Sequence, residues 1–226
     1  MFIKILLSLL TFVVVFALLT QWKVQASGFS DVTNYKREIE YLSGKGIITG
    51  YEDGSFKPST NVTRLQAVTM ILREKGITDF TAADPGFTDL KKGNYGYDKV
   101  AKAVELGIIS GKTNEHGSKY FDAGAPLTRG QMSKILVQGY NLRKTVGVRF
   151  KDVLESNGFK GYISILATEN ITTGYLDGTF RPNHKLTREH FAVFMARMLN
   201  GDFKPEKNPN PAPNPIPVPK SDPTPS

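Results

Sequence analysis

Apolar residues recur at helical spacing in six segments of the chain, and the segments come in pairs. Tyr35, Ile39 and Leu42 fall at i, i+4 and i+7, which places one apolar stripe on a helix. The other stripes are Leu65, Val68, Ile71 and Leu72; Tyr97, Val100, Ala101 and Val104; Met132, Ile135 and Leu136; Ile163, Leu166 and Ala167; and Phe191, Phe194, Met195 and Met198. We interpret them as buried core faces rather than cofactor pockets, so the pattern predicts an all-α fold without a cofactor.

Each pair of helices belongs to a unit that occurs three times. The step Phe-x-Asp-(Val/Leu) begins at Phe29, Phe87 and Phe150, at intervals of 58 and 63 residues. A glycine-bounded block and a Thr-Arg step follow in the same order each time. The Thr of that step lies seven positions after Phe56, and the other two units keep this spacing. We therefore expect a tandem array of three units, at residues 27–86, 87–149 and 150–203.

The first 26 residues have the layout of a secretory signal peptide. Lys4 precedes an apolar run from Ile5 to Thr20, and Val24-Gln25-Ala26 is a small-x-small cleavage site. The run of 16 residues is short for a membrane span, which needs about 20 residues. We therefore favour cleavage after Ala26 over a retained anchor helix, and we expect a secreted protein with no membrane association after cleavage.

Residues 204–226 differ in composition from the three units. Nine of the thirteen prolines lie between positions 205 and 225. This density predicts a disordered tail with polyproline-II character. We interpret it as a passive spacer rather than a recognition segment.

Composition excludes several classes of site. The 226 residues include no Cys and only three His, which excludes disulfides, Cys-based metal sites and Cys nucleophiles and leaves little material for a transition-metal centre. The 29 basic and 21 acidic residues give a formal charge of +8. That charge favours anionic partners, although export argues against nucleic acid as one of them.

The Thr-Arg step is the most informative motif. Thr63 directly precedes a predicted helix and is a good N-cap, and Gln66 completes a capping box. Arg64 then occupies the first helical position, where the helix dipole disfavours a cation by about 0.3–1 kcal/mol; Arg129 and Arg188 repeat this arrangement. The compensating anion is either one of the protein's own aspartates or an external carboxylate or phosphate, held by the guanidinium and free helix amides. The sequence leaves both alternatives open.

These motifs together resemble a known family. The first unit contains FSDV, GIITGYEDGSFKP and NVTRLQAV, the second contains FTDL, GIISG and LTRGQMSK, and the third contains FKDV, TTGYLDGTFRP and LTREHFAV. Together they resemble three S-layer homology (SLH) repeats of bacterial envelope proteins. The resemblance covers residues 27–203 and implies a monomer in which three helical SLH repeats form a pseudo-threefold bundle with loop-lined grooves. It also implies non-covalent binding of a secondary cell wall polysaccharide that bears ketal-linked pyruvate, at the surface of a bacterium.

The resemblance also implies the residues that bind the ligand. The Arg of the family's Thr-Arg-Ala-Glu motif helps to hold the pyruvate carboxylate, loop glycines lie close to the ligand, and the opening Asp contacts sugar or orders the groove. Carried over to this sequence, these residues are Arg64, Arg129 and Arg188; Gly50, Gly111 and Gly174; and Asp31, Asp89 and Asp152.

The sequence also departs from the family pattern. The Glu of the family motif is replaced by Gln66, Gln131 and His190, and unit two has a longer loop, which puts its groove in doubt. With no Trp after residue 26, sugar stacking would fall to Tyr51, Tyr175, Tyr120 or Phe, although packing against Phe56 is the favoured interpretation of Tyr51.

Three classes of function are compared on these grounds. A carbohydrate-binding module that anchors to the wall fits the signal peptide, the positive charge and the repeats best. A structural protein that assembles into a surface lattice is the alternative. An enzyme is disfavoured, because the units contain no HExxH, GxSxG or Ser-x-x-Lys constellation.

Overall fold

The part of the chain that the structure describes contains six α-helices, arranged as three pairs along the sequence. A computed structural model describes residues 28–143, 147 and 150–205. The helices are α1 (Lys36–Gly44), α2 (Arg64–Glu74), α3 (Tyr97–Glu105), α4 (Arg129–Gly139), α5 (Lys160–Thr168) and α6 (Arg188–Leu199), followed by a 3-10 turn at Gly201–Phe203. Regular structure is thus mostly helical, in agreement with the predicted class. The predicted signal peptide and nearly all of the Pro-rich tail lie outside the described residues.

The first helix of each pair ends in the same backbone conformation. Gly46 and Gly107 have φ of +68° and +67°, the left-handed region that glycine enters without strain. Asn170 stands where the other units have glycine, and its φ of +58° shows that it takes the same role. Asparagine is the residue that best tolerates this conformation after glycine, so the exchange leaves the helix end unchanged.

The second helix of each pair begins at a Thr N-cap, as predicted. Thr63 and Thr128 form complete capping boxes, in which the Thr side chain accepts from the backbone N–H of Gln66 or Gln131 and the Gln side chain accepts in return from the Thr N–H. The side chain of Thr187 accepts from the N–H of His190, and Nδ1 of the His190 ring bonds to the Thr187 hydroxyl over 2.9 Å in place of the return bond to the Thr187 N–H.

Backbone hydrogen bonds join the three repeats to one another just before these helix starts. The N–H of Leu127 donates to the carbonyl of Val62 over 2.8 Å, and the N–H of Leu186 donates to that of Leu127 over 2.8 Å. The N–H of Val62 donates to the carbonyl of Leu186 over 2.9 Å, which closes a ring of three bonds. All three side chains are fully buried, so each repeat satisfies backbone groups of another in the core.

Helix packing follows the same order around the molecule. Helix α2 packs on α3, α4 on α5, and α6 on α1, so each second helix contacts the first helix of another repeat. Two of these contacts depend on glycine: a Cβ atom on Gly96 would lie 2.6 Å from Leu65, and one on Gly130 would lie 2.6 Å from Phe159. The repeats are therefore packed at distances that a methyl group would prevent.

The longer loop of the second repeat contains a β-hairpin. Strands β1 (Lys112–Thr113) and β2 (Lys119–Tyr120) pair antiparallel, with Lys112 opposite Tyr120. The side chain of Asn114 accepts from the N–H groups of His116 and Ser118 and shapes the tip. The additional residues are thus folded outward as a hairpin, and the spacing from Phe121 to the next helix is unchanged.

Within the described residues, none of the helices has the length and apolar character needed to cross a membrane.

Candidate functional site

The three arginines of the Thr-Arg steps lie buried between repeats. Arg64, Arg129 and Arg188 have only 3%, 1% and 8% of their surface exposed. The Nε of each donates to the carbonyl of a phenylalanine in another repeat: Arg64 to Phe121 over 2.8 Å, Arg129 to Phe180 over 2.7 Å and Arg188 to Phe56 over 2.7 Å. We call each of these contacts a junction and name it by its arginine.

The backbone amides at the helix starts are occupied, contrary to the idea that free helix amides hold an external anion. The N–H groups of Arg64 and Leu65 donate to the carbonyls of Ala125 and Ala123, at 3.0 and 3.1 Å. The third N–H is bound by the Thr cap. The other junctions repeat this pattern: Arg129 and Gly130 donate to His184 and Pro182, and Arg188 and Glu189 donate to Thr60 and Pro58. A ligand at these helix starts would therefore have to be bound by side chains, of which the arginines carry the charge.

The three predicted aspartates hold the loops rather than the arginines. Both carboxylate oxygens of Asp31 accept backbone N–H groups, from Phe56 and Lys57, each at 2.8 Å. Burial acts to raise the pKa of Asp31, but these N–H bonds outweigh it and hold the pKa below its usual value. Asp89 and Asp152 accept in the same way from Phe121 with Asp122, and from Phe180 with Arg181.

Carboxylates therefore do not neutralise the junction arginines directly. Among the residues that the structure describes, the ion pairs include none of Arg64, Arg129 and Arg188. Their partners are carbonyl oxygens and aromatic faces, with the Cζ of Arg188 4.4 Å from the centre of the Phe56 ring. Burial lowers the pKa of all three arginines, that of Arg129 to about 10, which leaves them positive at neutral pH. The internal aspartate alternative raised by the sequence thus lacks a direct contact.

The three predicted glycines have a packing reason to be small. A Cβ atom on Gly50 would lie 2.3 Å from Cε1 of Phe29, and the corresponding distances are 2.2 Å at Gly111 and 2.4 Å at Gly174. Phe29 in turn packs on Phe56 with ring centres 5.3 Å apart. The glycines thus let the Phe of each Phe-x-Asp step approach the loop, and contact with a ligand is not required to explain them.

The terminal guanidinium nitrogens separate the Arg129 junction from the other two. Nη2 of Arg64 donates to the carbonyl of Ser110 over 3.1 Å, and Nη2 of Arg188 to that of Thr49 over 2.8 Å. Nη1 and Nη2 of Arg129 are buried without a hydrogen-bond partner. The loop glycine beside Arg129, Gly174, has φ of +72°, which orients the preceding peptide differently from its counterparts. Aromatic faces surround this guanidinium, at 4.6 Å for Phe180, 4.8 Å for Tyr175 and 5.4 Å for Phe194.

Tyr51 and Tyr175 occupy equivalent loop positions but differ in exposure. Tyr51 is 38% exposed, whereas Tyr175 is 3% exposed. Nζ of Lys57 lies 4.1 Å from the centre of the Tyr51 ring, and Cζ of Arg188 lies 5.1 Å from it. The guanidinium of Arg188 also lies 4.4 Å from the centre of the Phe56 ring, so it contacts both aromatic side chains. The packing of Tyr51 against Phe56 stays a prediction.

A charge exchange in the second repeat escaped the sequence analysis. Lys112 stands where the other loops have Tyr51 and Tyr175, and Asp122 stands where they have Lys57 and Arg181. Lys112 and Asp122 form an ion pair of 2.7 Å. Lys57, Asp122 and Arg181 all have φ near +60°, at 56°, 61° and 60°, which confirms their equivalence. Aligning the three units on this position would have revealed the exchange.

No cluster of His, Asp and Glu among the described residues is arranged to hold a metal ion.

Comparison with known proteins identifies the family. The S-layer homology domain matches residues 28–68, 86–133 and 149–192, more than half of the chain. An S-layer protein of Bacillus thuringiensis subsp. finitimus is 29% identical over 163 residues, which are 70% of this chain and 19% of that protein. An endoglucanase of Bacillus sp. (strain KSM-635) is 29% identical over 188 residues, 78% of this chain and 19% of the enzyme. The surface-layer 125 kDa protein of Lysinibacillus sphaericus is 28% identical over 189 residues, 80% of this chain and 16% of that protein. The aligned part thus spans less than a fifth of each of these relatives. On the family match, the chain belongs to the S-layer homology domain family, as a bacterial cell-surface protein with three such repeats.

Proposed function

We propose that the three repeats form a non-catalytic module that anchors to the bacterial wall by binding an anionic, pyruvylated secondary cell wall polysaccharide. The observation that supports this most directly is the burial of three arginines between repeats without a carboxylate partner. A buried charge that lacks an opposite charge is costly, and an acidic group of a ligand would offset that cost.

The proposed architecture is a pseudo-threefold bundle within one monomeric chain, with a groove at each junction. The closed ring of bonds among Val62, Leu127 and Leu186 supports it, as does the packing of each second helix on the first helix of another repeat. Each groove then combines a helix start from one repeat with a loop from another. A ligand in a groove would therefore touch two repeats, so binding would depend on the intact set of three.

The proposed roles of the site residues follow from their contacts. A ligand carboxylate would be held by the guanidinium of Arg64, Arg129 or Arg188, since a planar fork of donors matches a carboxylate. Asp31, Asp89 and Asp152 would order the grooves through the two backbone N–H groups that each accepts. Gly50, Gly111 and Gly174 would keep the loops thin where they cross the Phe-x-Asp steps.

The relatives support an anchoring role rather than a catalytic one. The same segment aligns with a protein named as an endoglucanase and with proteins named as surface-layer proteins. A segment shared by proteins with such different names is expected to serve a need that they have in common, and attachment to the cell surface is such a need. Secretion by the predicted signal peptide would bring the protein to the wall, and the Pro-rich tail would act as a spacer.

Sedimentation with purified walls tests this function. Residues 27–226 should co-sediment with walls of a Gram-positive bacillus and should remain in solution when the polysaccharide has been stripped from them. Ordered sheets of the purified protein in electron micrographs would favour the lattice alternative, and release of reducing sugar or peptide from the walls would favour an enzyme. Binding that persists on stripped walls would contradict the proposal.

A further inference from the structure

We infer that the three junctions are unequal, that one acidic group of the polysaccharide binds per chain at the Arg188 junction, and that Tyr51 and Lys57 are its specificity-determining residues. This inference rests on the proposed function, since it concerns the same ligand. It is specific to this chain, because it follows from the differences among its three loops rather than from what they share.

The Arg188 junction has a partly exposed aromatic ring with two cations against it, of which Lys57 is exposed and Arg188 is buried. Tyr51 is more than a third exposed, and its ring contacts both Lys57 and Arg188. An acidic sugar that reaches the Tyr51 ring meets two positive charges, those of Lys57 and Arg188, which both contact this ring. The ring itself offers apolar surface to the sugar. Nη2 of Arg188 is fixed by the Thr49 carbonyl, so the guanidinium is already oriented.

Lys57 is positioned by the loop and is only weakly held at its end. Its backbone N–H donates to Asp31, and its left-handed φ of 56° turns the side chain toward Tyr51. Its ammonium lies 3.3 Å from a carboxylate oxygen of Asp53, and both side chains are exposed. Exposed pairs of this kind contribute about 0–1 kcal/mol, so a ligand carboxylate can replace Asp53 at little cost.

The Arg129 junction has the same types of residue in a closed arrangement. Tyr175 is buried against Arg129, and Arg181 covers the same ring, with Cζ 4.1 Å from its centre. Arg181 is held in place by Asp177, at 2.8 Å, and by the hydroxyl of Thr179, at 3.3 Å. A ligand can reach Arg129 only after Tyr175 has left its packed position. We therefore expect the Arg129 junction to bind the ligand more weakly than the Arg188 junction does, despite the unpartnered guanidinium of Arg129.

The Arg64 junction has a different set of residues, in which the ring beside the lysine is Tyr120, with Nζ of Lys112 5.6 Å from its centre. Lys112 replaces the tyrosine, and its ammonium is bound to Asp122. Asp122 places a negative charge where Lys57 provides a positive one at the Arg188 junction. The ammonium of Lys112 is already paired with this carboxylate, so it is less available to an acidic ligand than that of Lys57, and we expect the second loop to bind such a ligand more weakly.

Titration calorimetry with the soluble polysaccharide released from purified Bacillus walls tests this assignment on residues 27–226. The wild-type protein should bind with a stoichiometry of one. Lys57→Asn and Tyr51→Ala should each weaken Kd roughly tenfold, a loss of about 1.4 kcal/mol. Asparagine is chosen at position 57 because it tolerates the left-handed backbone. The matched variants Arg181→Asn in the third loop and Lys112→Ala in the second should change Kd less than about twofold.

The outcomes separate this inference from the function on which it rests. Absence of wild-type binding to the polysaccharide overturns the proposed function, and the inference with it. Wild-type binding with a stoichiometry of two or three, or an equal loss for Arg181→Asn and Lys57→Asn, overturns the inference and leaves the function standing. Circular dichroism establishes whether each variant is folded. If Tyr51→Ala does not fold, the Kd of Lys57→Asn alone tests the inference.

Discussion

The helix starts and the loops of the three repeats have diverged to very different degrees. Every second helix begins with a Thr cap, a buried Arg and two N–H groups bound to another repeat. The loops opposite them carry Tyr51 exposed, Lys112 in an ion pair and Tyr175 buried. The helix starts hold the repeats together and tolerate little change, whereas the loops set what each junction presents to a ligand.

The largest expected effect on stability comes from adding a Cβ atom to a loop glycine where the loop crosses a Phe-x-Asp step. In Gly50→Ala the new Cβ would lie 2.3 Å from Phe29 and 2.8 Å from the backbone oxygen of Ser55. The Ser55 oxygen cannot rotate away as a side chain would, so we expect the free energy of unfolding in urea to fall by about 3 kcal/mol or more.

Gly44→Ala is the matched control in the same repeat. Gly44 is the last residue of α1, and a Cβ atom there would meet nothing within 4 Å. Its substitution should leave stability unchanged or raise it by up to about 1 kcal/mol. Similar losses for both variants would show that the Phe29 contact does not restrict the loop.

The two equivalent tyrosines provide a comparison within the loops. Tyr175→Ala removes a fully packed ring and should lower the free energy of unfolding by about 3 kcal/mol. Tyr51→Ala removes a ring that is partly in solvent and should cost less than about 1 kcal/mol. Urea unfolding monitored by circular dichroism measures both. Equal costs would mean that the third junction is no more closed than the first.

Much of this organisation was predictable from local sequence. The apolar stripes and Thr caps predicted all six helices, because helix periodicity and capping depend on residues within one or two turns. The structure confirmed the helical class and the predicted capping box of Thr63 and Gln66, and it shows a second such box at Thr128. Asn170 takes the helix-ending role that glycine has in the other two repeats.

The contacts between repeats were not predictable in the same way. Arg64 donates to the carbonyl of Phe121, 57 positions away, and its own N–H is bound by Ala125. No local pattern distinguishes an amide that is free from one that another repeat occupies. The difference in exposure between Tyr51 and Tyr175 also depends on long-range packing, together with one glycine φ angle, so the sequence could nominate both residues but could not rank them.

Acid pH should distinguish the third helix start from the first two. His190 occupies the position of Gln66 and Gln131, and burial, reinforced by the positive charges of Arg129 and Arg197, lowers its pKa to about 4. The unfolded chain binds this proton near pH 6.5, so the free energy of unfolding should fall as pH drops from about 6.5 to about 4. At pH 5 the loss should be about 2 kcal/mol, from about 1.4 kcal/mol per pH unit.

His190→Gln tests the origin of this pH dependence. The variant should lose the difference in stability between pH 7.5 and pH 5 that His190 causes. His184→Gln, at an exposed histidine in the same repeat, should retain it. If the difference persists in His190→Gln, another group titrates and the neutral buried histidine is not the cause.

The smallest expected effect compares the caps themselves. Thr63→Ala should lower the free energy of unfolding by about 1 kcal/mol, because it removes the acceptor for the Gln66 N–H and breaks one half of a reciprocal pair. Thr187→Ala should cost more than Thr63→Ala, because the Thr187 hydroxyl accepts from the His190 N–H over 3.3 Å and also bonds to Nδ1 of the His190 ring over 2.9 Å. Its loss would leave that buried ring nitrogen without a partner. In a His190→Gln background the capping box can form, so Thr187→Ala should then cost as much as Thr63→Ala. A cost that does not change between the two backgrounds in urea unfolding would show that the third residue of the helix adds nothing to the cap, and that the helix starts are equivalent despite their sequences.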